Sequence, residues 1–335
     1  MDTISHCITG AVIARAGFSD RLGNIAIITG IAASFLPDAD VVMRIFARDT
    51  MASFIKYHRG PGNSIILMIP LALAIALIVN YISKKKALGQ FFLLSLLAIA
   101  AHTFMDLQTS YGTMLLFPFS NNRFALDFIF IVDFFYSGIL VLGLISPFLW
   151  KKQGRRLARL ALLLIMLYTT LCAVNHHQAL SYAREFARRN NLDATSIASL
   201  PQPLSPFLWA NYVATNDLVY QGFINLWGSR HTAPSDTFTG RYKSKFQSVN
   251  EVKYRSYIKF PDSPLVKRSL TLEGVKLFLW FARFPIVLSE EIRDNNHIIR
   301  LFDLRFYSIE GRYPFLYEIV FDHEGNIKSE GFKGS

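Results

Sequence analysis

The chain has 335 residues, of which 52% are hydrophobic, and a formal charge of +11; that length suits one large or two modest domains. The first 174 residues carry 15 Lys and Arg against 8 Asp and no Glu. The basic excess sits in short loops between apolar runs, which is the pattern of membrane topology and excludes nucleic acid as the expected partner. The two cysteines, Cys7 and Cys172, form neither a CxxC nor a zinc ribbon. They are expected as free thiols in or near a bilayer, with a disulfide left open.

The opening "MDTISHC" is acidic and lacks a small-residue cleavage site, so no cleavable signal peptide is expected. Ile4–Phe18 and Asn24–Leu36 are short apolar stretches joined by the polar turn Ser19-Asp20-Arg21. They read as a helical hairpin, re-entrant and shielded by other helices. Ser64–Ile82, Leu88–Phe104 and Leu126–Trp150 have the length and apolarity of membrane helices, and Leu157–Val174 lies at the short end. Lys84-Lys85-Lys86, and Lys151-Lys152 with Arg155-Arg156, place the loops that hold them in the cytoplasm. The other helix ends then face outward, together with everything after Val174.

Past Val174 the sequence has an ordinary globular balance. His176–Asn190 reads as a surface helix, and "LPQPLSPFLW" as a Pro-rich linker. Strands are expected at Trp209–Ala214, Leu218–Leu226, Phe238–Phe246, Lys276–Phe284, Ile298–Phe306 and Tyr317–Phe321. The expected fold is an α-helical integral membrane domain over residues 1–175, built from the hairpin and about four transmembrane helices. An α+β, mainly antiparallel-sheet extracytoplasmic domain follows over 176–335.

The stretch "AHTFMD" ends an otherwise apolar run with His102 and Asp106. Residues four apart share one helix face, so the two side chains can address one point. Asp38 and Asp40 follow a Pro at the end of a short apolar helix, His58 precedes another helix, and His6 lies near the N-terminus. The topology carries all six to the outer ends of their segments. Taken singly, each has a structural explanation, such as a His at a helix interface or an Asp terminating a helix. Taken together, three imidazoles and three carboxylates suit one or two divalent ions, zinc, manganese or iron rather than magnesium. Two ions would support an in-line phosphoester displacement, with other hydrolyses open. Asp133 reads as lying two turns inside an apolar helix, where a carboxylate needs a partner. Asp127 reads as solvated.

The pieces "MDTISH", "LPDAD", "YHRGPGNS", "AHTFMDLQTSYGT", "LLFPFS" and "FIVDFF" resemble, in that order, the YdjM/YfhP-like family of membrane-bound, metal-dependent hydrolases. The resemblance covers about residues 1–140. It implies a bacterial inner-membrane, multi-pass hydrolase with a divalent metal cofactor, zinc or manganese, one or two ions per chain. The implied ligands are His6, Asp38, Asp40, His58, His102 and Asp106. Arg59 would clamp an oxyanion, Tyr111 and Thr113 would form a tight outer loop with Gly112, and Asp133 would orient a His ligand. Ser120 and Arg123 would line the entrance. Gly62 and Asn63 stand where the family commonly has Thr and His. Asn63 still offers a carbonyl oxygen, a weaker ligand, which leaves open a looser metal, a different metal or lost activity.

The location suits a phosphoester or lipid-linked substrate reached from the membrane plane, with the bilayer as the surrounding partner. Two other readings stand beside this one. A transporter would use the same His/Asp cluster as an ion pathway, although the inner halves of the long runs are nearly free of ionisable groups. A membrane-anchored binding protein would work through the outer domain, whose Trp209, Trp227 and Trp280 serve either its core or a binding face.

Overall fold

Apolar runs with no polar side have no stable place in water, and in the computed structural model they become helices whose outward faces stay apolar. The structure describes residues 1–40, 51–228, 237–307 and 312–333. These form two units, one of residues 1–40 and 57–174, the other of 51–56 and 175–333.

The first unit opens with α1 (Thr3–Gly17), whose N-terminus is capped by Asp2: its carboxylate accepts the Ser5 amide at 2.9 Å. The expected polar turn is a single helical turn, α2 (Ser19–Leu22), which leads to α3 (Asn24–Phe35). α1 and α3 cross at two glycines. A Cβ built on Gly30 would lie 2.2 Å from the Gly10 carbonyl oxygen. Gly30→Val is therefore expected to destabilise the hairpin by about 1–3 kcal/mol or more through overpacking. Gly17→Ala, whose Cβ meets nothing within 4 Å, should be nearly neutral. Thermal denaturation of the detergent-solubilised variants, measured side by side, checks the contrast.

After α4 (Met51–Tyr57) come α5 (Ile65–Ser83), α6 (Leu88–Leu107), α7 (Phe134–Leu149) and α8 (Gly154–Arg189). Among the described residues, α5, α6 and α8 are long and apolar enough to cross a membrane. The run Leu126–Trp150 is not one span. Its first part is irregular chain lashed to the end of α6, with the Leu126 amide donating to the Leu107 carbonyl at 2.8 Å and the Phe128 amide to that of Gln108 at 2.8 Å. The remaining 16 residues of α7 reach only about 24 Å, short of the roughly 30 Å of hydrocarbon. Asp127 is buried rather than solvated, with φ +59°. Asp133 caps α7 instead of sitting inside it, accepting the Tyr136 amide and the Tyr168 hydroxyl, both at 2.8 Å. α8 merges the short fourth run and the expected surface helix into one element of 36 residues.

The second unit is α+β, with two mainly antiparallel sheets. In the first, β1 (Ser196–Pro201), β2 (Leu208–Ala214) and β3 (Leu218–Asn225) pair in sequence, with Trp209 opposite Ile224. α9 (Phe238–Lys243) then precedes β4 (Gln247–Ser248), which runs parallel to β3, and β5 (Arg255–Ile258), which pairs with β3 antiparallel. α10 (Pro264–Ser269) and α11 (Glu273–Phe281) lead into the second sheet. It consists of β6 (Pro285–Arg293), β7 (Asn296–Asp303), β8 (Tyr317–Phe321) and β9 (Ile327–Phe332) in that order. The stacked rings of Tyr212 and Phe284, 4.6 Å apart, join a core with Phe302 and Leu304. Val275 and Phe278 of α11 pack with Ile299, Ile319 and Phe321 of the second sheet.

Two expected strands are helices. Phe238–Phe246 is mostly α9, and Lys276–Phe284 is mostly α11. Val275, Phe278 and Phe281 are buried every third residue, a helical period that the continuous apolar run "LFLWF" conceals. The Pro-rich "linker" begins inside β1 and ends inside β2.

Candidate metal centre

His6 and His102 are carried on α1 and α6, and the other donors are set by local backbone devices. Pro37 lies in a tight turn, Leu36–Asp38, that ends α3 and turns Asp38 inward, where it is 3% exposed. A second turn, Pro61–Asn63, packs against it so closely that a Cβ on Gly62 would lie 2.5 Å from the Pro37 carbonyl oxygen. That contact leaves no room for a side chain at position 62. Arg59 adopts φ +57° between α4 and this turn, so the chain reverses directly after His58. Gly112, at φ +93°, allows Thr113 to pair with Phe124 across a tight loop.

These devices gather five of the six expected ligands into two donor groups. The nitrogen or oxygen atoms of His6, Asp38 and His102 lie within 4.8 Å of one another, as do those of Asp38, Asp40 and His58. Asp38 belongs to both. The first group is fully buried; the second is half-open, with side-chain exposures of 30% for Asp40 and 12% for His58. His58 Nδ1 lies 2.9 Å from Asp40 Oδ2.

The inner group bears directly on whether a cation fits. His102 Nδ1 lies 2.7 Å from the Ser34 carbonyl oxygen, which only accepts, so this nitrogen carries the proton. In the neutral ring, Nε2 then presents a lone pair. It faces Asp38 Oδ1 at 3.7 Å and Asp106 Oδ2 at 3.3 Å and has no hydrogen-bond partner among the described residues. The His6 and His102 rings stack with centroids 3.7 Å apart. Converging lone pairs inside a protein repel one another unless a cation sits among them, and a carbonyl holding the far ring nitrogen is the usual support of a metal-binding imidazole. The donor set therefore fits a divalent metal.

Asp106 stands beside this group. Its carboxylate receives the Met1 α-amino group, Arg59 Nη2 at 3.0 Å and Asn63 Nδ2 at 2.8 Å, and touches His6 Nε2 at 3.1 Å. It acts here as a buried anion neutralised by cations and amides, between the two imidazoles. Arg59 is engaged inward, donating also to Thr109 Oγ1 at 2.6 Å and the Asp106 carbonyl at 3.2 Å. Its guanidinium is thus already committed to the protein's own groups.

The remaining expected site residues form the surrounding scaffold. Tyr111 packs edge-on to His58 and between the guanidinium groups of Arg59 and Arg123, at 4.9 and 5.5 Å. Arg123 donates to the Gly112 carbonyl at 3.0 Å and the His58 carbonyl at 3.1 Å. Thr113 is fully buried, and the Ser120 hydroxyl accepts the Asn122 amide at 3.2 Å on an exposed turn. Asp133 pairs with Tyr168 and the Tyr136 amide, neither of them a His.

Three contributors were not singled out from the sequence. Thr3 donates to Asp38 Oδ2 at 2.7 Å; its spacing of three from His6 on one helix was an available signal. Thr109, three residues after Asp106, offered a similar one. The Ser34 carbonyl offered none, because any residue carries a carbonyl.

Residues 1–179 match the family model described as YdjM inner membrane protein. Residues 264–333 match one described as YfhP C-terminal alpha/beta plait domain. A protein of Bacillus subtilis (strain 168) described as "Uncharacterized protein YfhP" is 24% identical over 341 residues, covering 98% of this chain and 94% of that protein. No solved structure matches the chain.

Proposed function

The chain belongs to the YdjM inner membrane protein family, and from that premise we propose that it is an integral membrane metal-dependent hydrolase acting on a lipid-linked phosphoester. The observation that carries the reading is the pair of donor groups sharing Asp38, with the His102 lone pair aimed between carboxylates and its far nitrogen held by Ser34. His6, Asp38 and His102 would hold one ion, and Asp38, Asp40 and His58 a second. A divalent ion there, zinc or manganese by its mixed nitrogen and oxygen donors, supplies Lewis acidity and a nucleophilic water at neutral pH.

The protein's own residues divide the remaining work. Asp106 fixes the His6 imidazole, the Ser34 carbonyl fixes that of His102, and Arg59 and Asn63 neutralise and orient Asp106. The half-open Asp40 and His58 give a substrate its approach. The Met114 amide, donating to the Arg59 carbonyl at 2.9 Å, and Arg123 on the His58 carbonyl tie the 114–124 loop to that approach. Leu116, Phe119 and Phe124 stand exposed on this loop. An apolar rim beside a polar site suits an amphiphile whose tail stays in the bilayer. With Lys84-Lys85-Lys86 at the inner ends of α5 and α6, the site at their opposite ends lies on the outer side of the membrane.

Elemental analysis of detergent-purified protein should find stoichiometric zinc or manganese, and the protein should release phosphate from a lipid phosphate monoester in mixed micelles. His58→Ala should lower that rate by more than about 100-fold. A metal-free preparation, or a His58→Ala variant as active as the parent, would refute the reading.

A further inference from the structure

Of the large apolar side chains exposed on the second unit, Ile258, Trp280, Ile292 and Ile327 each occupy a different element. Apolar exposures scattered over several elements are normal for a water-facing surface. One group differs. Trp227, 72% exposed, packs edge-on against Phe207 with ring centroids 4.7 Å apart. The Leu226 amide donates to the Phe207 carbonyl at 3.0 Å, so the strand end and the β1–β2 loop are pinned together. That loop, Pro203-Leu204-Ser205-Pro206-Phe207, is stiffened by its two prolines, and Leu204 anchors it against the core of Leu208, Tyr242 and Phe246.

The position of this loop along α8 supplies the second observation. The outward face of α8 is apolar through Leu160, Leu163, Leu164, Met166, Leu167, Leu171 and Val174, all exposed, and Asn175 follows at once. The Asn175 amide donates to the Pro206 carbonyl at 3.0 Å, and the indole of Trp209 donates to the same carbonyl at 3.0 Å. The loop is therefore held at the point where the apolar face of the helix ends, the level at which a spanning helix leaves hydrocarbon. Tryptophan is enriched at that depth because its ring is apolar and its N–H needs a polar partner.

We infer that Trp227 and Phe207, with the 203–207 loop, form a docking surface of the second unit for the headgroup region of the bilayer that α8 crosses. This assigns the patch to lipid and is independent of the metal chemistry.

The test uses the full chain reconstituted in phosphatidylethanolamine/phosphatidylglycerol vesicles, with acyl chains either plain or brominated close to the headgroup. Subtracting the emission of Trp227→Phe from that of the parent isolates the Trp227 component and removes the other tryptophans. That component is expected to lose intensity in brominated vesicles and to resist aqueous iodide. Quenching by iodide but not by bromolipid would place Trp227 in water and overturn the proposal. Quenching by neither would place it under protein, a second copy or another part of the chain, and would overturn it equally. Because the substitution is conservative at an exposed position, its circular dichroism should match the parent's.

Discussion

Asp38→Ala is expected to empty both donor groups at once, whereas His102→Ala should empty only the inner group and His58→Ala only the outer. The reason is geometric: Asp38 is the residue common to the two groups. With two ions bound, elemental analysis should read about two per chain for the parent, about one for each His variant and close to none for Asp38→Ala. Hydrolysis should fall by more than about 100-fold in all three. A graded companion is Thr3→Val, which removes the 2.7 Å hydrogen bond to Asp38 Oδ2 while leaving every ligand in place. Loss of such an outer hydrogen bond typically weakens metal binding about 10- to 100-fold. Metal titration into the stripped protein separates this loosening from outright loss. Should Asp38→Ala retain the parent's metal content, the shared-carboxylate arrangement is wrong.

The second large effect is expected in the second unit, at Asp303. This carboxylate is 1% exposed and closes the junction between α11 and the second sheet. One oxygen accepts the amides of Phe284 at 3.1 Å and Arg305 at 3.0 Å; the other accepts the Arg283 amide at 3.0 Å and pairs with Arg305 Nη2 at 3.0 Å. Arg305 in turn donates to the Phe281 carbonyl at 2.9 Å and lies over the rings of Phe281 and Phe306, 4.7 and 4.5 Å from their centroids. Asp303→Ala leaves a buried guanidinium without its counter-charge and several backbone amides without an acceptor. Breaking one partner of a buried pair costs about 3–5 kcal/mol. Hydrogen exchange at β6 and β7 should accelerate accordingly. Adding Arg305→Met should recover part of the loss, because the stranded charge is then gone. Unchanged exchange in Asp303→Ala would show that the junction is held by packing alone.

Several elements were legible because their signals are local. The apolar runs of α5 and α6 exceed what a soluble core helix uses, and the i, i+4 spacing of His102 and Asp106 puts both on one face in any helix. The hairpin of α1 and α3 was readable from its length and its polar turn. The misreadings share one cause: an apolar run states a preference for burial, not a conformation. Leu126–Ile129 is irregular chain bonded through its amides to the end of α6, Ile131 and Val132 stand exposed, and Asp133, read as an intramembrane carboxylate, is the helix cap. "LFLWF" has the same ambiguity, and only its packing on the second sheet reveals the helical period.

By itself the sequence determined the chemistry available to this protein: the apolar segments that demand a bilayer, and the histidines and aspartates at their ends. The tertiary structure decided how that chemistry is distributed. It made Asp38 common to two donor groups, placed Asp106 under Arg59 and Asn63, turned Arg59 inward, and set the Ser34 carbonyl behind His102. Those assignments depend on distances between segments up to a hundred residues apart and on a backbone carbonyl that every residue possesses. Local composition carries no record of either.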